Sequence, residues 1–198
     1  DGRIPPMTPR GEELAAAARA ARRPLAEGPE DLSSWVRCIT RSLVPSPGVY
    51  NNGLQITQAP GYVTLQREMI HETRIIPTES GPHLGSDIKS WLGDARGHWE
   101  GDTLVIETTN FSTKSRYRGS TKGLRLVERY TRTAPDTLEH KITLDDSMTW
   151  TQPWTVSLRL EQTEDPLFEY ACHEGNYSLP GILGGARAEE EAAKRGSR

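Results

Sequence analysis

Polar and apolar residues alternate with a period of two through the middle of the chain, and the alternation fades toward both ends. Trp154, Val156, Leu158 and Leu160 interleave with Thr155, Ser157, Arg159 and Glu161, the pattern of a strand with one face on a core. Leu138, His140, Ile142 and Leu144 share a face in the segment before it, and Leu124, Leu126 and Tyr130 share one on the segment before that. Bringing these two apolar sets together across Ala134-Pro135-Asp136 takes a three-residue loop, which pairs Leu126 with Leu144 and Tyr130 with His140. A slip of one residue would turn one set out to solvent. A tighter hairpin is predicted at Gly101-Asp102, where glycine accommodates a positive φ and Trp99 falls opposite Leu104. Further strands are expected over 54–59 after an Asn51-Asn52-Gly53 turn, over 62–70 after Pro60-Gly61, and over 71–76 up to Pro77. A short helix is predicted over 86–92 and a last strand over 167–172.

Seven or eight antiparallel strands joined mostly by short turns must curl or close to protect their edges. The expected fold is therefore mainly β, an antiparallel curled sheet or a lipocalin-like barrel over 51–183. An extended and helical arm precedes it (1–50), and a charged tail follows (184–198) as a short helix or disorder. In the arm, Thr8 is a good N-cap, Pro9 suits the first helical position, 12–22 is Ala-rich, and Pro24 stops the helix. Apart from Leu14 this helix carries little but alanine as apolar surface, so it needs something to lie against.

Composition narrows the function classes. Hydrophobic residues make up 34% of the 198, and the formal charge is -3 with acidic and basic residues interspersed. No basic stripe of the kind that binds nucleic acid is present. The basic stretch 19–23 lies in an Ala-rich arm without aromatic partners and reads as a solvated helix end. No run approaches the ~20 apolar residues of a membrane-spanning helix. The start at Asp1, without Met or a leader, reads as a processed or trimmed product. Cys38 and Cys172 are either two separate thiols or one bridge, and composition favours neither.

Three blocks carry a resemblance: MIHETRIIP from Met69 to Pro77, WLGDARGHWEGDTLVIETTNF from Trp91 to Phe111, and YACHEGNY from Tyr170 to Tyr177. With the opening DGRIPPMTP, they resemble a family of exported, uncharacterised bacterial β-rich proteins, and the resemblance covers nearly the whole chain. It implies a periplasmic or extracellular location and a Cys38–Cys172 disulfide. It brings no assigned activity. Members of that family carry a leader and a further N-terminal strand, so a chain starting at Asp1 is expected to leave barrel closure incomplete.

Three polar constellations are candidates for chemistry. Tyr130, His140 and Glu128, with Arg67 from another strand, place polar groups on an otherwise apolar face, where a few convergent groups would orient a small apolar ligand. The same residues also suit a satisfied core histidine, or a general base. His98, Glu100 and Asp102, near Asp94 and Arg96, are dense enough to suggest a metal, but a solvated hairpin explains them and no metal is expected. Cys172-His173-Glu174 would need His173 beside the thiol, whereas adjacent strand residues point to opposite faces. No phosphate loop, nucleophile elbow, paired CxxC or HExxH occurs, and no cofactor is expected. The leading expectation is a non-catalytic exported binding or accessory-subunit domain. It would be docked through its arm or tail on a protein partner, such as the periplasmic face of an electron-transfer or photosynthetic membrane complex, or else the arms would wrap the chain's own barrel with Leu14, Leu25, Trp35 and Ile39 as anchors. The alternative is a small-molecule hydrolase or lyase working around His140.

Overall fold

In the computed structural model, residues 2–21, 24–42, 44–45, 50, 52–79, 81–115 and 117–196 are described. Eight strands follow one another: β1 (Leu54–Ala59), β2 (Tyr62–Arg67), β3 (Thr73–Pro77), β4 (Asp94–Glu100), β5 (Thr103–Thr109), β6 (Arg125–Ala134), β7 (Thr137–Asp145) and β8 (Trp154–Glu161). They form two antiparallel meanders, β1-β2-β3 and β4-β5-β6-β7-β8. The lipocalin-like barrel is thus corrected to two curled sheets, because among the described residues no ladder joins β3 to β4 or β8 to β1.

The break between the sheets follows from chain direction. Gly97 of β4 lies against Ile76 of β3. Two residues earlier on β3, Arg74 reaches Thr108, whose partner on β4 is Ala95. The contacts advance together, so β3 and β4 run the same way. Neighbours of that kind need a long crossover, here the segment 78–93. A Cβ on residue 97 would sit 3.0 Å from the Ile76 Cγ2 methyl, so glycine permits the close approach of the two edges.

Where facing apolar sets fix the register, expectation and structure agree. Tyr130 pairs with His140, Leu126 with Leu144, and Trp99 with Leu104. The β6–β7 connection differs in detail. Ala134 already pairs with Thr137, and a bulge between Arg132 and Ala134 absorbs the extra residue. A two-residue tip plus one bulged residue gives the same offset as a three-residue loop.

Elsewhere tertiary bonds override local pattern. The strand expected over 62–70 ends at Arg67, and Met69–His71 forms a tight turn with Ile70 at φ 62 and His71 at φ 57. Arg67 N donates to Glu72 O across this turn, closing the β2–β3 corner. The helix expected over 86–92 is absent, since Ser90 bonds Asn110 and Ser112 backbone groups and the Ser115 hydroxyl takes the Trp91 carbonyl. β4 starts at Asp94, earlier than the hairpin alone suggested. The strand expected over 167–172 is also absent, because Cys172 N is spent on Tyr170 O and its sulfur is bonded to Cys38.

Two clusters form the core. Phe111, Leu124, Leu126, Ile142, Leu144 and Trp150 pack with Val44 of the arm. Val63, Leu65, Ile76, Leu104, Ile106 and Tyr130 join the two sheets, with Leu54 and Leu160 at their margin.

The arm is tied to this body. Helix α1 (Pro9–Ala20) starts as expected, with the Thr8 hydroxyl accepting from Gly11 N at 2.9 Å and donating to Met148 O at 2.7 Å. Arg22 and Arg23 of the predicted helix end, and Asn51 of the predicted turn, lie outside the described residues. The Cys38–Cys172 disulfide links arm to C-terminal segment, and Asn176 Nδ2 donates to Val36 O at 2.7 Å. The tail belongs to helix α2 (Ser178–Gly196), from which Arg187 donates to the carbonyls of Ala26 and Glu27. No helix of the described residues is long and apolar enough to cross a membrane.

Candidate functional site

The inward face of β6 and β7 carries the polar cluster. Glu128 and Tyr130 are two apart on β6 and so point the same way, and His140 stands opposite Tyr130 on β7. The Tyr130 and His140 rings stack with centroids 3.9 Å apart and planes 14° apart. Glu128 Oε1 accepts from the Tyr130 hydroxyl at 3.4 Å and lies 3.2 Å from His140 Nε2. Its other oxygen is 2.6 Å from Arg74 Nη1, and Arg74 Nη2 donates to Thr108 Oγ1 at 3.0 Å. Glu128 has 0% exposure and His140 1%. Arg74 comes from β3, so this ion pair spans the two sheets.

Electrostatics settles the protonation of the carboxylate. Burial pushes the Glu128 carboxyl up, but the charge of Arg74, then the hydrogen bond and charge of His140, outweigh it and hold it well below the usual carboxylate range. Burial, and next the negative charge of Glu128, push the Tyr130 phenol well above its ordinary value. Burial works against the Arg74 cation, yet Glu128 more than offsets that and the guanidinium is raised.

Beside this cluster, at the gap between β1 and β8, lies a cavity of about 60 Å³. One water needs about 10–15 Å³ by this measure, so there is room for a small organic molecule. Leu54, Met69 and Leu160 supply apolar wall, and the Tyr130 and His140 rings supply an aromatic one. Arg41, Arg67 and Glu72 are the charged groups at its surface. Arg67 Nη1 donates to Ser42 O at 3.2 Å and lies 3.7 Å from Glu72 Oε1, and Glu72 accepts from the Thr40 hydroxyl.

Of the four expected ligand-binding residues, Arg67, Tyr130 and His140 line this one cavity, and Glu128 lies behind the two rings as their common acceptor. Sequence reasoning missed Arg74, Glu72 and Arg41. Glu72, Arg74 and Ile76 share the buried parity of β3, so an arginine in that series was a readable sign of a buried ion pair. Arg41 lies in an irregular arm, and nothing in the local pattern marks it.

The other constellations do not converge. His98 and Glu100 meet at 3.2 Å on an exposed strand end, where Glu100 is also 2.7 Å from Arg129. Asp94 sits at the opposite end of β4 and holds His83 Nδ1 at 2.7 Å and Leu84 N at 3.0 Å. Among the described residues no group of three His, Cys, Asp or Glu is placed to hold a metal ion. The nucleophile reading of Cys172-His173-Glu174 is overturned, since the Cys172 sulfur is in the disulfide. No protein-family model, curated protein or solved structure matches this chain.

Proposed function

We propose that this chain is an exported, non-catalytic binding module whose cavity between β1 and β8 takes a small, largely apolar molecule. The observation that carries this reading is that Arg67, Tyr130 and His140, from three strands, line one cavity together with the apolar side chains of Leu54, Met69 and Leu160. A few polar groups converging on an apolar hollow is the usual form of a small-molecule site. The Cys38–Cys172 bridge supports export, because such bonds persist in oxidising compartments. The three sequence blocks that resemble exported bacterial proteins point the same way.

The chemistry of the cluster argues against a hydrolase or lyase. A general base must have a lone pair free for the substrate, at a pKa near working pH. His140 has 1% exposure and lies stacked on Tyr130, the phenol of Tyr130 is pushed the wrong way, and the Glu128 charge is matched by Arg74. These groups serve as one another's partners, which suits a rigid wall.

The test is an NMR titration of the oxidised, 15N-labelled protein with 1-hexanol. Saturable shifts grouped at Leu54, Met69, Tyr130, His140 and Leu160 are expected. Shifts scattered over the surface, or none at millimolar hexanol, would sink the cavity as a binding site.

A further inference from the structure

We propose that the molecule held in this cavity is a small organic carboxylate, its negative end taken by Arg41 and its hydrocarbon end lying on Leu54, Met69 and Leu160. This rests on the binding reading above and adds the charge and polarity of the ligand. Glu128 is matched by Arg74 at 2.6 Å, and Glu72 by Arg67 and the Thr40 hydroxyl. Glu68, buried beside Gly53, has an interaction of its own. Arg41 alone among these cations has no carboxylate partner among the described residues. Its guanidinium carbon lies 4.0 Å from the centroid of the Trp35 ring, and its Nε is buried without a hydrogen-bond partner.

Stacking on Trp35 makes Arg41 a ready anion receptor. An aromatic face satisfies the flat side of a guanidinium and fixes its plane. The N–H donors lie in that plane and stay available for the paired oxygens of a carboxylate. A buried donor left without an acceptor is uncommon in folded proteins and destabilising, so an acceptor arriving with a ligand relieves a defect as well as making a bond. Arg67 and Glu72, which share the wall, are paired with each other, and Leu54, Met69, Leu160 and the Tyr130 and His140 rings form an apolar stretch that an inorganic anion would leave uncovered. The volume restricts the tail to a handful of carbons.

Calorimetric titrations at neutral pH with hexanoate, 1-hexanol and inorganic phosphate separate the possibilities. A charge-assisted pair at a partly buried arginine predicts hexanoate binding about tenfold to a hundredfold tighter than hexanol, with phosphate weaker than either. Arg41→Gln should erase the preference for hexanoate over hexanol, and Arg41→Lys should restore part of it. Because Arg41 is in an irregular, half-buried segment, an unchanged amide spectrum away from the arm will establish that the variants fold. Equal binding of hexanoate and hexanol would overturn the carboxylate assignment and leave the cavity reading standing. Binding of neither would overturn both. Phosphate binding as tightly as hexanoate would refute the hydrocarbon end, and a preference that survives Arg41→Gln would refute the role of Arg41.

Discussion

Replacing Arg74 by Met should be among the most damaging single changes available in this protein. It removes the cation 2.6 Å from a carboxylate with no solvent exposure, and it also removes the bond to Thr108. Two charges about 4 Å apart at an effective dielectric near 20 attract by roughly 4 kcal/mol. Breaking a buried pair from one side costs about 3–5 kcal/mol, because the remaining charge is stranded. Domains of this size are stable by about 5–15 kcal/mol, so Arg74→Met should consume a large share. Glu128→Leu should cost a similar amount by stranding Arg74. The double variant should recover part of the loss, with a coupling of about 2–3 kcal/mol. Urea unfolding of the oxidised proteins, followed by tryptophan fluorescence, measures all four corners of the cycle. Single losses below about 1 kcal/mol, or a double variant equal to the sum of the singles, would refute the reasoning.

The same pair sets an acid limb. The Glu128 carboxyl is depressed in the folded state relative to its ordinary value of 4.5. Below 4.5 the unfolded chain therefore binds a proton that the folded chain resists. Its contribution to stability is complete above that pH and is lost progressively as pH falls toward the folded-state value. Glu100, Glu107 and Glu139 are also lowered, first by hydrogen bonds from Arg129, Arg125 and Lys141, but they are much more exposed. Glu128→Gln should consequently flatten the steepest part of the stability loss below pH 4.5, and an unchanged acid limb would contradict the assignment.

Two further outcomes follow from the arm and the loops. Removing the disulfide by Cys38→Ser with Cys172→Ser opens a loop with a sequence separation of 134. Loop-closure entropy puts the loss at up to about 5 kcal/mol, and unfolding of the oxidised and double-serine proteins side by side checks it. Asp146→Ala deprives Thr121 N, the Thr121 and Thr149 hydroxyls and Met148 N of one buried carboxylate. It should cost about 2–3 kcal/mol, read as a lower urea midpoint with Asp146→Asn in between.

How much of this was legible in the sequence depends on which interactions decide each element. The β6–β7 register was readable because a one-residue slip would expose either Leu126 or Leu144, a penalty visible in the pattern itself. Glu128, Tyr130 and His140 emerged from the same parity. The path of 78–93 was not readable, because a local pattern says nothing about whether the next strand runs with or against the last. The helix expected over 86–92 failed for a related reason: its backbone groups find partners at Asn110 and Ser112, far along the chain. Arg41 was invisible, since its place beside the cavity depends on an arm positioned by Val44 in the core and by the disulfide.

Strand direction also explains where the cavity lies. Within each sheet, consecutive strands are antiparallel. Since β4 runs with β3, counting along the chain makes β8 run with β1. The two junctions between sheets, β3 beside β4 and β8 beside β1, are therefore the ones where strands run the same way and no hairpin turn holds the edges together. Loop closure across such a junction is slower to be repaid than across a tight turn, and each is bridged by side chains instead of a ladder. At the first, Arg74 reaches across to Thr108 and Glu128. At the second, Arg41, Ser42 and Pro45 of the arm come to the gap between Leu54 and Leu160, and the cavity is what they leave unfilled. The arm is held there from the far end by Cys172, so the disulfide stabilises the wall of the site as well as the fold. A cavity at this position thus follows from the crossover at 78–93, which leaves the β1–β8 seam to be closed by an arm.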